Sequence, residues 1–399
     1  MDEWISLEEQ YGAHNYHPLP VVLTRGNGAW VWDDKGKKYL DMLSAYSAVS
    51  HGHAHPRLIK VLKEQAEKIA VASRAFYTDK LGIFLKRLCE LAEMEMGLPM
   101  NTGAEAVETA IKAARRWGYR TKKIRKDKAE IIVAEGNFHG RTTTIVGFSS
   151  ESAYQEGFGP FTPGFKMIPF GSASALEKAI TPNTCAFLVE PMQGEAGIVL
   201  PPDGWLKEVS QLCKRHNVLL ILDEVQAGLG RTGKMFAFQH EGIQPDGLIL
   251  GKALGGGLLP VSAFLSKREV MEVFNPGSHG STFGGNPLAA AVGLEAIKVL
   301  LEENLVEKSR DLGAYLMQKL KNLKSSLVTE VRGKGLWVGV VIDPKKASAR
   351  SVCEKLMTRG ILAKETHEVV VRLAPPLVIT QEEIDWAVGQ LADVLKELE

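Results

Sequence analysis

Along the middle of the chain, short unbroken apolar runs alternate with segments whose apolar residues recur every three or four positions. The runs are EIIVA (130–134), CAFLVE (185–190), VLLILDE (218–224) and DGLILG (246–251). Each is short and lacks the polar alternation of a half-exposed strand. Each therefore predicts a strand covered on both faces. AEAVETAIKAARRWG (104–118) and GWLKEVSQLCKRHN (204–217) carry helical spacing between them. Strand–helix alternation of this kind predicts an α/β domain with a largely parallel sheet.

The two ends of the chain read differently. AWVWDD and KYLDML predict short strands within the first fifty residues. A long helical stretch (287–323) leads into an α+β segment that closes on a helix near EEIDWAVGQLADVLKEL. A chain of 399 residues is too long for one small core. We expect a large α/β domain over 51–298 and a smaller α+β domain assembled from an N-terminal segment, 1–50, and a C-terminal one, 299–399. The sequence contains no internal repeat, low-complexity tract or long linker.

Composition narrows the function classes. With 48 basic and 47 acidic residues, no global field favours nucleic acid or a membrane surface. The densest basic run, RRWGYRTKKIRKDK (115–128), predicts the solvated face and end of a helix. Cys89, Cys185, Cys213 and Cys353 are far apart and form no CxxC pair. That fits separate reduced thiols rather than a zinc ribbon. The opening MDEWISLEEQ has neither the apolar core of a signal peptide nor the arginines of a transit peptide, so a cytoplasmic location is expected. No apolar run approaches the ~18 residues that a membrane span needs.

Two motifs need discounting. GLGRTGKM (228–235) satisfies both GxGxxG and GxxxxGK. A dinucleotide fingerprint, however, places its first glycine at the strand end, and here DEVQA intervenes. A phosphate loop needs Ser or Thr after its lysine, and here Met235 follows Lys234. The plain expectation is a glycine-rich surface loop. SHGHAHP (50–56) places His51, His53 and His55 at alternate positions, but Pro56 starts a helical pattern and leaves them in a turn. No metal site is expected there.

The chemistry concentrates at two strand ends. VLLIL (218–222) stops at Asp223 and Glu224, and carboxylates are costly to bury unless paired. GLIL (247–250) stops at Gly251 and Lys252, followed by ALGGGLLP. A lysine at the end of a buried strand can be held near neutrality and form an imine. The glycines around it leave room for a flat group. Pyridoxal phosphate uses both features: its aldehyde needs a lysine, and its ring nitrogen needs an anion. Asp223 is the candidate anion.

A phosphate needs free N–H groups at a helix start. Thr102 and Glu105 are spaced as a capping box ahead of the long helix, which leaves Gly103 and Ala104 to offer their N–H groups. In GNFHGRT (136–142), Phe138 is a candidate for the pyridine face and Arg141 for a substrate carboxylate. Glu190 and Glu195 in VEPMQGEAG are two further acids at a strand end. HGSTFGGNP (279–287) turns into a helix capped by Asn286 with Pro287 at its first position, and offers Ser281 and Thr282 as a second phosphate grip.

Taken together, NTGAEAVETAIKAAR, NFHGRT, VEPMQGEAG, LILDEVQAGLGRTGK, PDGLILGKALGGGLLP and STFGGNP resemble, in their order, the class III, fold-type I, pyridoxal-phosphate aminotransferases. The resemblance spans nearly the whole chain. It implies a large domain with a mostly parallel sheet flanked by helices, plus a small α+β domain. It implies pyridoxal 5′-phosphate as cofactor, Lys252 as the lysine that binds its aldehyde, Asp223 on the ring nitrogen and Gln226 near the ring hydroxyl. Phe138 would lie on the ring face, and His139 near the ring, where some relatives have Trp. Gly103 and Ala104 would hold the phosphate, with Thr282 reaching the phosphate of a partner subunit in a homodimer or larger homo-oligomer.

Within that family, HNYHPLPVVL (14–23) and LSAYSAVSHGHAHP (43–56) resemble the branch acting on ornithine. That implies L-ornithine and 2-oxoglutarate as substrates. Tyr16 and Arg141 would hold the α-carboxylate, and Tyr46 would stand near the α-amino group. Glu195 would pair with Arg372 while ornithine is bound, and release it to the dicarboxylate. Two other readings stay open: a class III enzyme acting on acetylornithine, 4-aminobutyrate or lysine, and a nucleotide-binding protein using GLGRTGK.

Overall fold

The computed structural model describes residues 3–399, so the first two residues of the N-terminal segment lie outside it. At its centre is a seven-stranded sheet. In spatial order the strands are Met96–Met100, Ser262–Ser266, Gly247–Leu250, Leu219–Asp223, Thr184–Val189, Glu130–Ala134 and Phe165–Ile168. Ser262–Ser266 runs antiparallel to both of its neighbours, and the other contacts are parallel. The four aliphatic runs thus form adjacent central strands, as their lack of polar alternation predicts.

Alternation along each strand divides the core in two. Ile131, Val133, Leu219, Ile221 and Ile249 face one cluster, where the helix Gly103–Arg120 lays down Ala106, Val107, Ala110, Ala114 and Trp117. Ile132, Ala134, Leu220, Leu222 and Leu250 face the other, which includes the helices Leu81–Ala92 and Trp205–Arg215. The helix Gly103–Arg120 starts at the expected capping box: Thr102 Oγ1 accepts from Glu105 N–H, and the Glu105 carboxylate accepts from Thr102 N–H. The basic run is the end of this helix and the turn after it; Arg120 and Lys122 donate to the carbonyls of Val273 and Thr184.

Two smaller sheets flank the large one. The strands Leu23–Asn27, Trp30–Asp33 and Lys38–Asp41 form an antiparallel ribbon, joined in parallel by Ile361–Leu362 from the far end of the chain. Val328–Gly333, Val338–Ile342, Val370–Leu373 and Lys364–Thr366 form the other.

The structure corrects two expectations. The stretch 287–323 is two helices, Pro287–Glu302 and Leu305–Lys321, separated by Asn304 at φ 55°. Asn tolerates the left-handed region better than most residues and reverses the chain there. GLGRTGK does not lie on the surface: residues 228–233 are buried, and Arg231 donates to the carbonyls of Leu336 and Pro375. In the histidine turn, His51 bonds Ala296 O, His53 pairs with Asp41 and His55 with Glu303. No helix among the described residues is long and apolar enough to cross a membrane.

Candidate active site

Four neighbouring strands of the large sheet deliver side chains to one crevice beyond their carboxyl ends, where open α/β sheets bind ligands. Gly247–Leu250 is followed by Gly251 and Lys252. Lys252 has φ +45° and opens a short 3₁₀ turn. A non-glycine residue in that region is strained, and such strain collects at functional sites. Leu219–Asp223 ends on Asp223 itself, Thr184–Val189 is followed by Glu190, and Glu130–Ala134 leads to Phe138 and His139.

These residues line one cavity of about 630 Å³, open on one side. Gly103, Ala104, Phe138, His139, Glu190, Asp223, Gln226 and Lys252 form its walls, with Met192, Val225 and Ala227. Val225 escaped the sequence reading, although it stands between Asp223 and Gln226. Gly140 also lines the cavity; at φ +124°, its missing Cβ would meet Ala104 Cβ at 2.7 Å. Glycine is therefore required where the 138–140 turn meets the helix start.

The two carboxylates at the strand end have different fates. Asp223 faces the cavity; its Oδ1 accepts from Val225 N–H at 3.0 Å and its Oδ2 from His139 Nδ1 at 2.7 Å. Glu224 points away and accepts from the N–H groups of Ala237 and Phe238, at 2.6 and 2.8 Å. Burial pushes Glu224 up to about 8. His139 lines the cavity and bonds to Asp223. Burial is the largest influence and opposes its charge, but the Asp223 bond and the charges of Asp223 and Glu190 together outweigh burial and raise its pKa. Glu190 accepts from Phe138 N–H at 3.0 Å, which fixes the turn carrying Phe138; burial pushes its carboxyl up to about 8.

Lys252 is the cation of the cavity. Burial lowers its amine to about 8, helped by the Arg372 charge and opposed by Glu195, Asp223 and Glu190. With a pKa near 8 about a tenth to a fifth of the amine is neutral near physiological pH, far more than for an ordinary lysine, and that neutral form is the nucleophile.

A second group of charges surrounds this cavity. Arg372 Nη1 lies 2.9 Å from Glu195 Oε1. Burial alone would raise Glu195, but Arg372 and Lys252 hold it below the ordinary carboxylate range. The Tyr46 ring lies 5.1 Å from the Arg372 guanidinium. Arg141 lies 4.1 Å from the Tyr154 ring and 5.7 Å from that of Phe138. Tyr154 was not anticipated either. Tyr16 is 72 % exposed and reaches Tyr46 only through its field. Ser281 accepts from Asn101 Nδ2 at 2.9 Å and from Gly284 N–H, so it braces its own turn. Thr282 is exposed and does not line this cavity.

The cavity suits a flat, phosphorylated pyridine aldehyde. Lys252 and Asp223 supply the amine and the anion. The N–H groups of Gly103 and Ala104 open the helix and lie beyond intrahelical bonding, at its positive end. Gln226 Nε2, a donor, and His139 Nε2 are buried without a partner, and buried polar atoms of that kind call for one.

Comparison with known proteins agrees with this geometry. The chain is 58 % identical over 392 residues to an ornithine aminotransferase of Geobacillus sp. (strain WCH70), covering 98 % of each. Its fold matches the solved ornithine aminotransferase of Toxoplasma gondii, whose active site holds PLP at partial occupancy, with a TM-score of 0.98 and 43 % identity over 99 % of this chain and 94 % of that one. It also matches an acetylornithine aminotransferase from Elizabethkingia anophelis, with a TM-score of 0.90 and 49 % identity over 99 % and 98 % of the two chains. The aminotransferase class-III family model matches residues 11–395, and the chain belongs to that family.

Proposed function

We propose that this protein is an ornithine δ-aminotransferase. It moves the δ-amino group of L-ornithine to 2-oxoglutarate, giving glutamate 5-semialdehyde and glutamate. The semialdehyde then cyclises to pyrroline-5-carboxylate without the enzyme. The observation carrying this reading is the Glu195–Arg372 pair beside Lys252. It gives one site two faces: a covered arginine when a diamine enters, and a free one for a dicarboxylate. The names of the relatives, 54–58 % identical over nearly the whole chain, point the same way.

Pyridoxal 5′-phosphate, the cofactor of the family, supplies an aldehyde for the donor's amine and a protonated ring that draws electrons away from the reacting carbon. Asp223 would keep the ring nitrogen protonated, with His139 holding Asp223 in place. Phe138 and Val225 would confine the ring, and Gly103 and Ala104 would hold the phosphate. Lys252 Nζ, in its neutral form, would take the proton from the donor's δ-carbon and deliver it to the carbon that was the cofactor's aldehyde. Arg141 and Tyr16 grip the α-carboxylate, and Tyr46 stands beside the α-amino group.

The active unit in this reading is a homodimer, in which Thr282 reaches the partner's phosphate. Phe76, Tyr77 and Phe283 are large apolar side chains left exposed, which supports an interface between copies of this chain.

A panel of donors decides the substrate. The absorbance of the bound cofactor is followed in stopped flow with L-ornithine, N-acetylornithine, 4-aminobutyrate and L-lysine. Ornithine reacting fastest supports the reading; preference for N-acetylornithine would move the protein to another branch of the family.

A further inference from the structure

Four consecutive residues, Ser44 to Ser47, have φ of 46°, 47°, 57° and 74°. They form one turn of left-handed helix without a glycine. That form brings each Cβ too close to the following carbonyl, so a run of four persists only where the surroundings impose it. Tyr46 is its third residue.

Two layers of bonds impose it. Asp41 Oδ1 accepts from the N–H groups of Leu43 and Ser44, at 2.9 and 2.7 Å. Ser44 Oγ donates to Ala374 O at 2.6 Å, and Ser50 Oγ donates to Ser47 O at 2.9 Å. Behind both hydroxyls lies Arg231. Its Nη2 donates to Ser44 Oγ at 3.3 Å and Ser50 Oγ at 2.8 Å. Its Nη1 donates to Leu336 O at 2.9 Å and Pro375 O at 2.6 Å.

One guanidinium therefore grips both ends of the turn and the chain three residues beyond Arg372. All of these bonds go to neutral oxygens, although Arg231 is wholly buried. Burying a cation on such terms is unfavourable, and stability alone would favour an apolar residue. The planar fork nonetheless does what a single ammonium cannot: it holds two chain segments at a fixed separation. That separation sets the Tyr46 ring against Arg372, 5.1 Å away. Arg231 itself does not line the cavity.

We propose that Arg231, acting through Ser44 and Ser50, is the positioning residue of the donor subsite: it holds the left-handed turn so that Tyr46 meets the α-amino end of the donor, and so governs discrimination between a free and an acylated α-amine. This rests on the role given to Tyr46 above.

The test uses the cofactor-loaded enzyme carrying Ser50→Ala, Ser44→Ala or Arg231→Lys, each alone and combined with Tyr46→Ile. Specificity constants for L-ornithine and N-acetylornithine are compared. Ser50→Ala and Arg231→Lys should each lower kcat/KM for ornithine about tenfold, mainly through KM, and shift the donor ratio accordingly. In the Tyr46→Ile background the same changes should leave that ratio within about twofold, because they act through the residue already removed. The proposal falls if Tyr46→Ile moves the ratio while Ser50→Ala and Arg231→Lys do not, or if the effects simply multiply. If Tyr46→Ile alone leaves the ratio unchanged, the role of Tyr46 fails first and takes this proposal with it. Should Arg231→Lys not fold, Ser50→Ala, which removes one hydroxyl, decides.

Discussion

Arg372 and Glu195 are paired at 2.9 Å, yet they are held very differently: the arginine side chain is 1 % exposed and the glutamate 24 %. The cation is enclosed by protein, whereas the anion reaches solvent, as the proposed switching of Glu195 requires. Glu195→Gln keeps the shape and removes the charge, leaving Arg372 always available. The affinity for 2-oxoglutarate should rise, and kcat/KM for ornithine should fall about fivefold to tenfold, since one partly buried charge contact is involved. Separate half-reaction rates for ornithine and glutamate measure both directions. Equal changes in the two would show that the pair is only structural.

Lys252→Ala should leave the chain folded, with no turnover and no visible band of lysine-bound cofactor. A variant turning over at the original rate would remove Lys252 from the mechanism.

Asp223→Asn should slow the ornithine half-reaction at least about tenfold, because an amide cannot supply the charge that keeps the ring nitrogen protonated. It also leaves the buried His139 without its anion. An unchanged rate in stopped flow would contradict the assignment.

The lowered pKa of Lys252 gives a pH signature. The free amine is the nucleophile that captures the cofactor, and it forms as pH rises through about 8. Capture by cofactor-free protein should therefore accelerate up to about pH 8 and then level off. A lysine of ordinary basicity, near 10.4, would keep accelerating for two more units. Visible absorbance after adding pyridoxal phosphate, recorded from pH 6 to 10, distinguishes the two.

Tyr46→Ile should lower kcat/KM for ornithine by about ten- to a hundredfold while leaving the glutamate half-reaction nearly intact. Donors lacking a free α-amine, 4-aminobutyrate and N-acetylornithine, should gain relative to ornithine. An unaltered preference would mean that the ring only packs against Arg372.

The central strands were legible in the sequence because strands buried on both faces are continuous aliphatic runs. The cofactor end of the site was legible for a related reason: Asp223 and Lys252 interrupt such runs with charge. What depends on distant partners was not. The left-handed turn at Ser44–Ser47 carries no glycine to announce it, and its causes lie at Arg231 and Ala374. The burial of GLGRTGK depends on carbonyls more than a hundred residues away. The bond between His139 and Asp223 was hidden because the two residues lie 84 positions apart. The break at Asn304 was hidden because apolar periodicity continues on both sides of it. Val225 was overlooked because an aliphatic residue among charged ones carries no chemical signal of its own.

Joining the two ends of the chain has a consequence for biosynthesis. All seven strands of the central sheet, and the cavity wall through Lys252, leave the ribosome before residue 270. Ser44 must wait for Ala374, 330 residues later, before its hydroxyl finds an acceptor. Ile361 and Leu362 join Leu40 and Asp41 equally late. The residues lining the cavity are thus synthesised well before Arg372 and Ala374, so in the proposed reading the donor subsite is completed last. Termination before residue 372 would remove both Arg372 and the acceptor of the Ser44 hydroxyl while keeping the residues that line the cavity.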